Sequence, residues 1–260
     1  MTKLLHRRQI LLGAGGLAAT TVAGLGVRQL ASPEGAEPWL RFGDTLGRKV
    51  QRAFLAHRPL APEYRLDQMS AKFPTNGGFG ASYIEPDPAF DKMASNGFLD
   101  YRLQVEGLVK RPASFSLREL RSMPQRTQIT MHCCDMGWSA IGQWTGVPLG
   151  WLLQHVGLMD NARYIFFFAM DRYIGFPVNY HTSIDLLDAF HPQTILAYGM
   201  NGDVLPREYG APLRLRTELQ VGYKNAKHLA RIVAVDSLSR FGKGHGGFAE
   251  DFGYQWYAGM

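Results

Sequence analysis

Apolar and polar residues alternate along Tyr101-Arg-Leu-Gln-Val-Glu-Gly107, the two-residue period of a strand with one buried face. Shortly after it, Ser116-Leu-Arg-Glu119 sets a hydroxyl three residues ahead of a carboxylate. That capping box predicts a short helix ending before Pro124. Gln128–Met131 predicts a strand that delivers Cys134 at its end. Pro148 predicts the start of a helix through Val156, where a missing N–H does no harm. Arg163-Tyr-Ile-Phe-Phe-Phe-Ala169 is apolar on both faces, as a central strand is. Tyr180-His181 reads as a strand end, with Thr182 or Ser183 capping a following helix. Thr194–Tyr198 predicts a strand, Asn201-Gly202 a tight hairpin turn, and Gly210–Arg214 the entry to another strand. His228–Asp236 is the last strand in the pattern. This mixed order predicts an α+β fold with mixed sheets and short helices, not a doubly wound parallel sheet.

Outside that patterned region the chain changes character. Residues 31–70 carry Pro33, Pro38, Pro59 and Pro62, and read as a linker followed by a helix around Phe42–Phe54. Met69–Gly80 is a glycine-rich loop, and the tail from Arg240 reads as irregular. The expected division is therefore 1–36, 37–68, a main domain over 69–240, and a tail over 241–260. With 260 residues, 46% hydrophobic and 12% aromatic, the chain can bury a full core.

The net charge of +6 suggests nucleic acid or a membrane surface until its distribution is read. Lys3, Arg7, Arg8 and Arg28 lie in the first thirty residues, which hold no acid. Removing these four from 28 basic residues leaves 24 against 22 acidic ones. The remainder is nearly neutral and has no basic run, which excludes nucleic acid as a partner. Arg7-Arg8 precedes the uncharged, glycine-rich stretch Ile10–Val27, the pattern of a twin-arginine export signal. A transmembrane anchor is the competing reading, and the five glycines of the stretch argue against it. Export of a folded protein to the periplasm follows, with membrane contact only through a partner or an uncleaved signal.

The chemistry concentrates in Met131-His-Cys-Cys-Asp-Met-Gly-Trp-Ser139, which contains both cysteines of the chain. A thiolate among glycines and aromatics suits a transition metal. Taken alone, a cysteine is more often a small buried apolar residue. A zinc site built on His132, Cys133 and Cys134 fails because three consecutive residues cannot converge on one tetrahedral ion. A thiol–disulfide enzyme requires Cys-x-x-Cys, which is missing.

Cys134-Asp-Met-Gly-Trp-Ser139, followed by Trp144-Thr-Gly-Val-Pro-Leu149, resembles the molybdenum-ligand segment of the sulfite oxidase family of molybdopterin enzymes. The resemblance extends over roughly residues 60–236. It implies a molybdenum ion held by Cys134, not Cys133, and by a pterin dithiolene. It implies that Phe73 and Asn76 belong to the pterin-holding loop. Arg214 matches the family's cofactor arginine, and Asn225-Ala226-Lys227 the segment that grips the phosphate end, with Lys224 a further candidate. Read without the family, Arg214 and Lys227 are ordinary surface charges. Tyr180 matches the active-site tyrosine; its plain reading is a core tyrosine at a strand end. Tyr209 and Ala169 stand where the methionine-sulfoxide-reductase relatives have asparagine and threonine.

Thr75 and Ser139 stand where sulfite oxidases have arginines. A pocket without paired guanidiniums binds a dianion poorly. The resemblance therefore implies two-electron oxygen-atom transfer on an S-oxide or N-oxide, with sulfite dehydrogenase or a non-catalytic molybdopterin-binding protein as alternatives. It implies a monomer with no haem in this chain, exchanging electrons with a separate haem or quinone-linked partner.

Overall fold

A computed structural model describes residues 60–260 apart from Gly80, together with Leu46 and Val50. The expected export signal and the helix around Phe42–Phe54 lie outside the described residues, save for those two exposed positions. Pro59–Met260 forms one contact unit. Among the described residues no helix is long and apolar enough to cross a membrane.

After a 3-10 turn at Leu66–Gln68 comes the helix α1 (Pro88–Ser95), capped by Asp87, whose carboxylate accepts the N–H groups of Ala89 and Phe90. Strand β1 (Arg102–Gly107) alternates exposed and buried positions as its sequence predicts. Hairpin partner β2 (Ala113–Ser116) runs into α2 (Leu117–Ser122). The capping box forms there: Glu119 N donates to Ser116 Oγ, and Ser116 N to Glu119 Oε2. Next come β3 (Arg126–Cys133), β4 (Ser139–Pro148) and α3 (Leu149–Val156), which ends at Gly157 with φ 75°. They are followed by β5 (Tyr164–Ala169), β6 (His181–Asp185), α4 (Leu186–Ala189), β7 (Ile195–Met200) and β8 (Asp203–Val204). Strands β9 (Arg214–Arg216) and β10 (Leu229–Val235) complete the regular structure.

Two five-stranded sheets result. One has the order β2-β1-β10-β5-β6; the other runs β3-β4-β7-β8, with β9 also paired to β7. Among the described residues only β1 and β10 pair in parallel. Strand β5 lies between β10 and β6, which explains its apolar run. The main core gathers Leu103 and Val105, Leu152, Leu153 and Val156 of α3, and Ile232. Each such side chain contributes about 1.5–3 kcal/mol by leaving water.

Three local expectations are corrected. Pro148 is the last residue of β4 and caps α3 from outside rather than starting it. The cap of α4 is Asp185, whose carboxylate accepts Asp188 N at 3.1 Å. Thr182 and Ser183 are instead buried in β6, paired with Phe167 and Phe166. The pattern also gave no strand for Ser139–Pro148, which is the longest strand among the described residues.

Candidate active site

Strands β3 and β4 form a hairpin whose last pair is Cys133 and Ser139. Its loop holds Cys134 at the turn: Cys134 N donates to Trp138 O, and Gly137 N to Cys134 O. Gly137 has φ 84°, a conformation glycine adopts without strain. The loop opens on a cavity of about 420 Å³. Cys134, Tyr180, Phe73, Asn76, Arg214, Asn225, Ala226 and Lys227 all line this one cavity. Segments far apart in the chain thus converge on it.

Two amide groups aim at the sulfur: Asn76 Nδ2 lies 3.4 Å and Met136 N 3.5 Å from Cys134 Sγ. Burial nevertheless pushes the Cys134 thiol up, outweighing the two donors. The thiolate expected from the sequence therefore requires the positive charge of a metal. Gly222 backs this point, since a Cβ there would lie 3.0 Å from His132 Nε2 and 3.3 Å from Cys134 Cα.

The Phe73–Gly80 loop is fastened by Tyr209, whose hydroxyl donates to Phe73 O at 2.7 Å, and by Lys227. All three ammonium protons of Lys227 have carbonyl partners, on Asn76, Gly77 and Glu208 at 2.6, 2.9 and 2.7 Å. Burial and the neighbouring Arg214 push this ammonium down to about 7, against the opposing pull of Asp171, Cys134 and Glu208. Asn225 is committed in the same way, accepting Thr217 N and donating to the carbonyls of Gln220 and Val221. In this segment the side chains of Asn225 and Lys227 hold the protein's own loops and Asn225 N donates to Gly222 O, which leaves the N–H groups of Ala226 and Lys227 for an anion. Lys224 does not face the cavity as a cation. It is fully buried in an ion pair with Glu250.

Neither Arg214 nor Lys227 is an ordinary surface charge. Arg214 is 3% exposed, donates to Tyr209 O and Asn225 O, and lies with its Cζ 4.9 Å from the Trp144 ring centroid. Tyr180 is tied down too, its hydroxyl donating to Tyr223 O. Burial raises the Tyr180 phenol far above its ordinary value, so it keeps its proton at neutral pH.

Two cavity residues were not among the catalytic or cofactor-binding candidates, although His132 was weighed as a zinc ligand. His132, on β3, accepts a hydrogen bond at Nδ1 from Arg216 Nη1 at 2.6 Å. A guanidinium only donates, so the imidazole carries its own proton on Nε2. Burial, with Arg216 next, lowers the His132 pKa well below its ordinary value and keeps the ring neutral. Asp171 is 5% exposed, and its Oδ1 has no hydrogen-bond partner among the described residues. A lone acid in Ala-Met-Asp-Arg carries no local signal of such a role. The C-terminal aromatics Phe248, Phe252 and Tyr254 also line the cavity, from a tail whose sequence reads only as irregular.

Burial pushes the Asp171 carboxyl up to about 7. The folded cofactor-free chain holds this proton where the unfolded chain has lost it, so stability falls as pH rises from ~4 to 7. Asp171→Asn is expected to raise the Tm of the cofactor-free protein by a few degrees (about 3–6 °C) at pH 8. The gain should shrink toward pH 4; a Tm difference independent of pH would show that water already reaches the carboxylate.

Residues 91–240 match the family described as the oxidoreductase molybdopterin binding domain. The chain belongs to that family. It is a molybdopterin-dependent oxidoreductase of the sulfite oxidase type, and its mixed sheets with short helices are that type's fold. A putative protein-methionine-sulfoxide reductase subunit, YedZ1, of Azospira oryzae is 38% identical over 201 residues, covering 77% of this chain and 68% of its own. The protein-methionine-sulfoxide reductase catalytic subunit MsrP of Ralstonia nicotianae is 36% identical over 145 residues, covering 52% of this chain and 44% of its own. Against the MsrP proteins the chain spans about half of their length. The sulfane dehydrogenase SoxCD of Paracoccus pantotrophus superposes with a TM-score of 0.49 at 23% identity, covering 54% of this chain and 39% of its own.

The cavity fits the family's cofactor on its own chemistry. Asp171 Oδ1 and Arg214 Nε are buried without partners among the described residues, one acceptor and one donor. A pterin ring offers the complementary donors and acceptors, and its phosphate suits the guanidinium. Among the described residues no three His, Cys, Asp or Glu side chains are placed to hold a metal by themselves. A single thiolate supplemented by a pterin's own sulfurs meets that restriction.

Proposed function

We propose that the chain reduces S-oxides to thioethers, with electrons delivered by a separate haem or quinone-linked protein. The observation that carries this reading is the character of the cavity wall. Its two cations, Arg214 and Lys227, are already bound to backbone carbonyls, and its remaining outer surface is largely aromatic. Thr75 borders a different groove, and Ser139 is exposed on β4, so neither replaces a guanidinium there. A neutral S–O dipole suits such a wall, whereas a sulfite dianion meets no guanidinium beyond Arg214, whose remaining donor is assigned to the cofactor's phosphate.

In this reading Cys134 holds the metal, with Asn76 and Met136 N–H groups steadying the sulfur. Phe73 and Asn76 flank the pterin, Asp171 accepts from its ring edge, and Arg214 with the backbone of Asn225–Lys227 binds the phosphate end. The molybdenum cofactor, when bound, supplies two-electron oxygen-atom-transfer chemistry. The S–O bond breaks, the sulfur gains the electron pair, and the oxygen leaves as water after taking up two protons and two electrons from the partner. The Nε2–H of His132 is the protonated group that faces the substrate and orients its oxygen, and the Tyr180 hydroxyl joins it only by giving up its bond to Tyr223 O. The same reading takes 1–36 as a twin-arginine signal, 37–68 as an extension and 69–240 as the catalytic domain of a periplasmic monomer. The methionine sulfoxide named for the relatives is the first substrate to try.

A dye-linked assay of the molybdenum-loaded protein tests this. Oxidation of reduced viologen by methionine sulfoxide and dimethyl sulfoxide is expected, with sulfite oxidation lower by at least about 100-fold in kcat/KM, the loss of roughly two charge-assisted contacts. Faster turnover of sulfite than of either sulfoxide would reverse the reading. A metal-loaded protein without turnover on any of them would be a cofactor-binding protein only.

A further inference from the structure

Residues 241–260 lie beyond the stretch that the family matches, yet they build one wall of the cavity. They are strapped back along their length. Phe248 N donates to His181 O at 2.8 Å, Trp256 Nε1 to Ser183 Oγ at 2.8 Å, and Val221 N to Ala258 O at 2.9 Å. Among these straps the buried Lys224–Glu250 ion pair joins the tail to the turn just ahead of Asn225. With Glu250 turned inward, Phe248, Phe252 and Tyr254 border the cavity.

These rings continue into those of the segment between β5 and β6. Tyr173 stacks on Phe248 with centroids 5.2 Å apart and planes within 4°. Phe176 meets Phe248 at 5.3 Å and Phe252 at 5.4 Å, both edge to face. Phe252 is 55%, Tyr254 48% and Phe176 37% exposed. Large aromatic side chains kept in water beside a cavity mark a surface that binds something. Packing of these rings against one another, and of Tyr254 edge to face on Tyr223 at 5.0 Å, fixes them in place, so a guest loses little by ordering them.

We propose that Tyr173, Phe176, Phe248, Phe252 and Tyr254 form a collar that recognises the organic substituents of the substrate. The collar selects sulfoxides with apolar or aromatic groups beside the reacting sulfur, and the tail beyond the matched family region is its specificity element. This proposal rests on the S-oxide reading above. A substituent that leaves water onto these rings adds affinity in proportion to its apolar area, while a small polar sulfoxide gains almost nothing there.

The test compares methyl phenyl sulfoxide with dimethyl sulfoxide in the dye-linked assay, on molybdenum-loaded wild type, Phe252→Ser and Tyr254→Ser. Both substitutions lie at half-exposed positions on different parts of the rim, so neither depends on the other for folding. The ratio of kcat/KM for the aryl over the dimethyl substrate is expected to fall about tenfold in each, chiefly through KM, the size of one lost ring contact. Phe252→Leu should recover most of the ratio, because area rather than aromaticity supplies much of the affinity. Ratios within about twofold of wild type in both serine variants, in enzyme that reduces both sulfoxides, overturn the collar and leave the S-oxide reading standing. A wild type that reduces neither sulfoxide overturns that reading, and the collar with it.

Discussion

Cys134→Ser is expected to abolish sulfoxide turnover and to strip most of the molybdenum, while Cys133→Ser keeps the metal and much of the activity. The two sulfurs are neighbours in sequence but not in environment. Cys134 Sγ has Asn76 Nδ2 and Met136 N–H directed at it and lines the cavity; Cys133, the last residue of β3, does not line it. A serine hydroxyl at 134 is a hard, weakly acidic oxygen that does not replace a soft thiolate on a transition metal. The loss should exceed about three orders of magnitude in kcat, since among the described residues no cluster of three or more His, Cys, Asp or Glu side chains could hold the metal in place of the thiolate. Metal content by mass spectrometry, beside pterin fluorescence and dye-linked turnover, reads the result. Equal loss in both variants would mean that the hairpin loop, not one sulfur, is what holds the metal.

What the sequence discloses of this fold depends on how local the signal is. Strand β1 and helix α2 are legible because alternation and the Ser116–Glu119 box act within a few residues. Strand β4 was not: it contains Gly142 and Gly146, and glycine is unfavourable inside a strand. Their reason is distant: a Cβ at Gly146 would lie 2.1 Å from Leu196 O, and one at Gly142 would lie 3.0 Å from the Phe73 ring. The α4 cap was misplaced because Thr182, Ser183 and Asp185 are all competent caps, and pairing with β5 claims the first two. At the site, the eight proposed residues were legible only through a family pattern, since Arg214 and Lys227 carry no mark of burial in their own neighbourhoods. His132, Asp171 and the tail aromatics acquire their meaning from long-range packing alone.

Beneath the cavity floor, the largest expected loss of stability follows Glu218→Ala. Arg216 and Glu218 have side chains 1% and 0% exposed, and the carboxylate accepts both Nε and Nη2 of the guanidinium. Gln128 Nε2 donates to the same Oε1 at 2.8 Å, and Arg216 Cζ lies 4.5 Å from the centroid of the fully buried Trp144. Removing the carboxylate strands a guanidinium with no water to receive it. Breaking such a pair from one side costs about 3–5 kcal/mol, a large part of a domain's total stability. Urea unfolding should report that loss for Glu218→Ala; a change below about 1 kcal/mol would mean that solvent reaches Arg216. The pair's value to stability and its value to the site are then separable. Replacing both partners by apolar groups, Arg216→Met with Glu218→Leu, removes the stranded charge and should restore most of the stability. It also removes the donor that fixes the His132 tautomer, leaving Nδ1 buried without a partner. That double variant is expected to unfold near the wild-type urea midpoint yet to turn over sulfoxide at least about tenfold more slowly, the scale of one misdirected hydrogen bond. Wild-type turnover in it would show that the network serves the fold alone and that His132 takes no part in orienting the substrate.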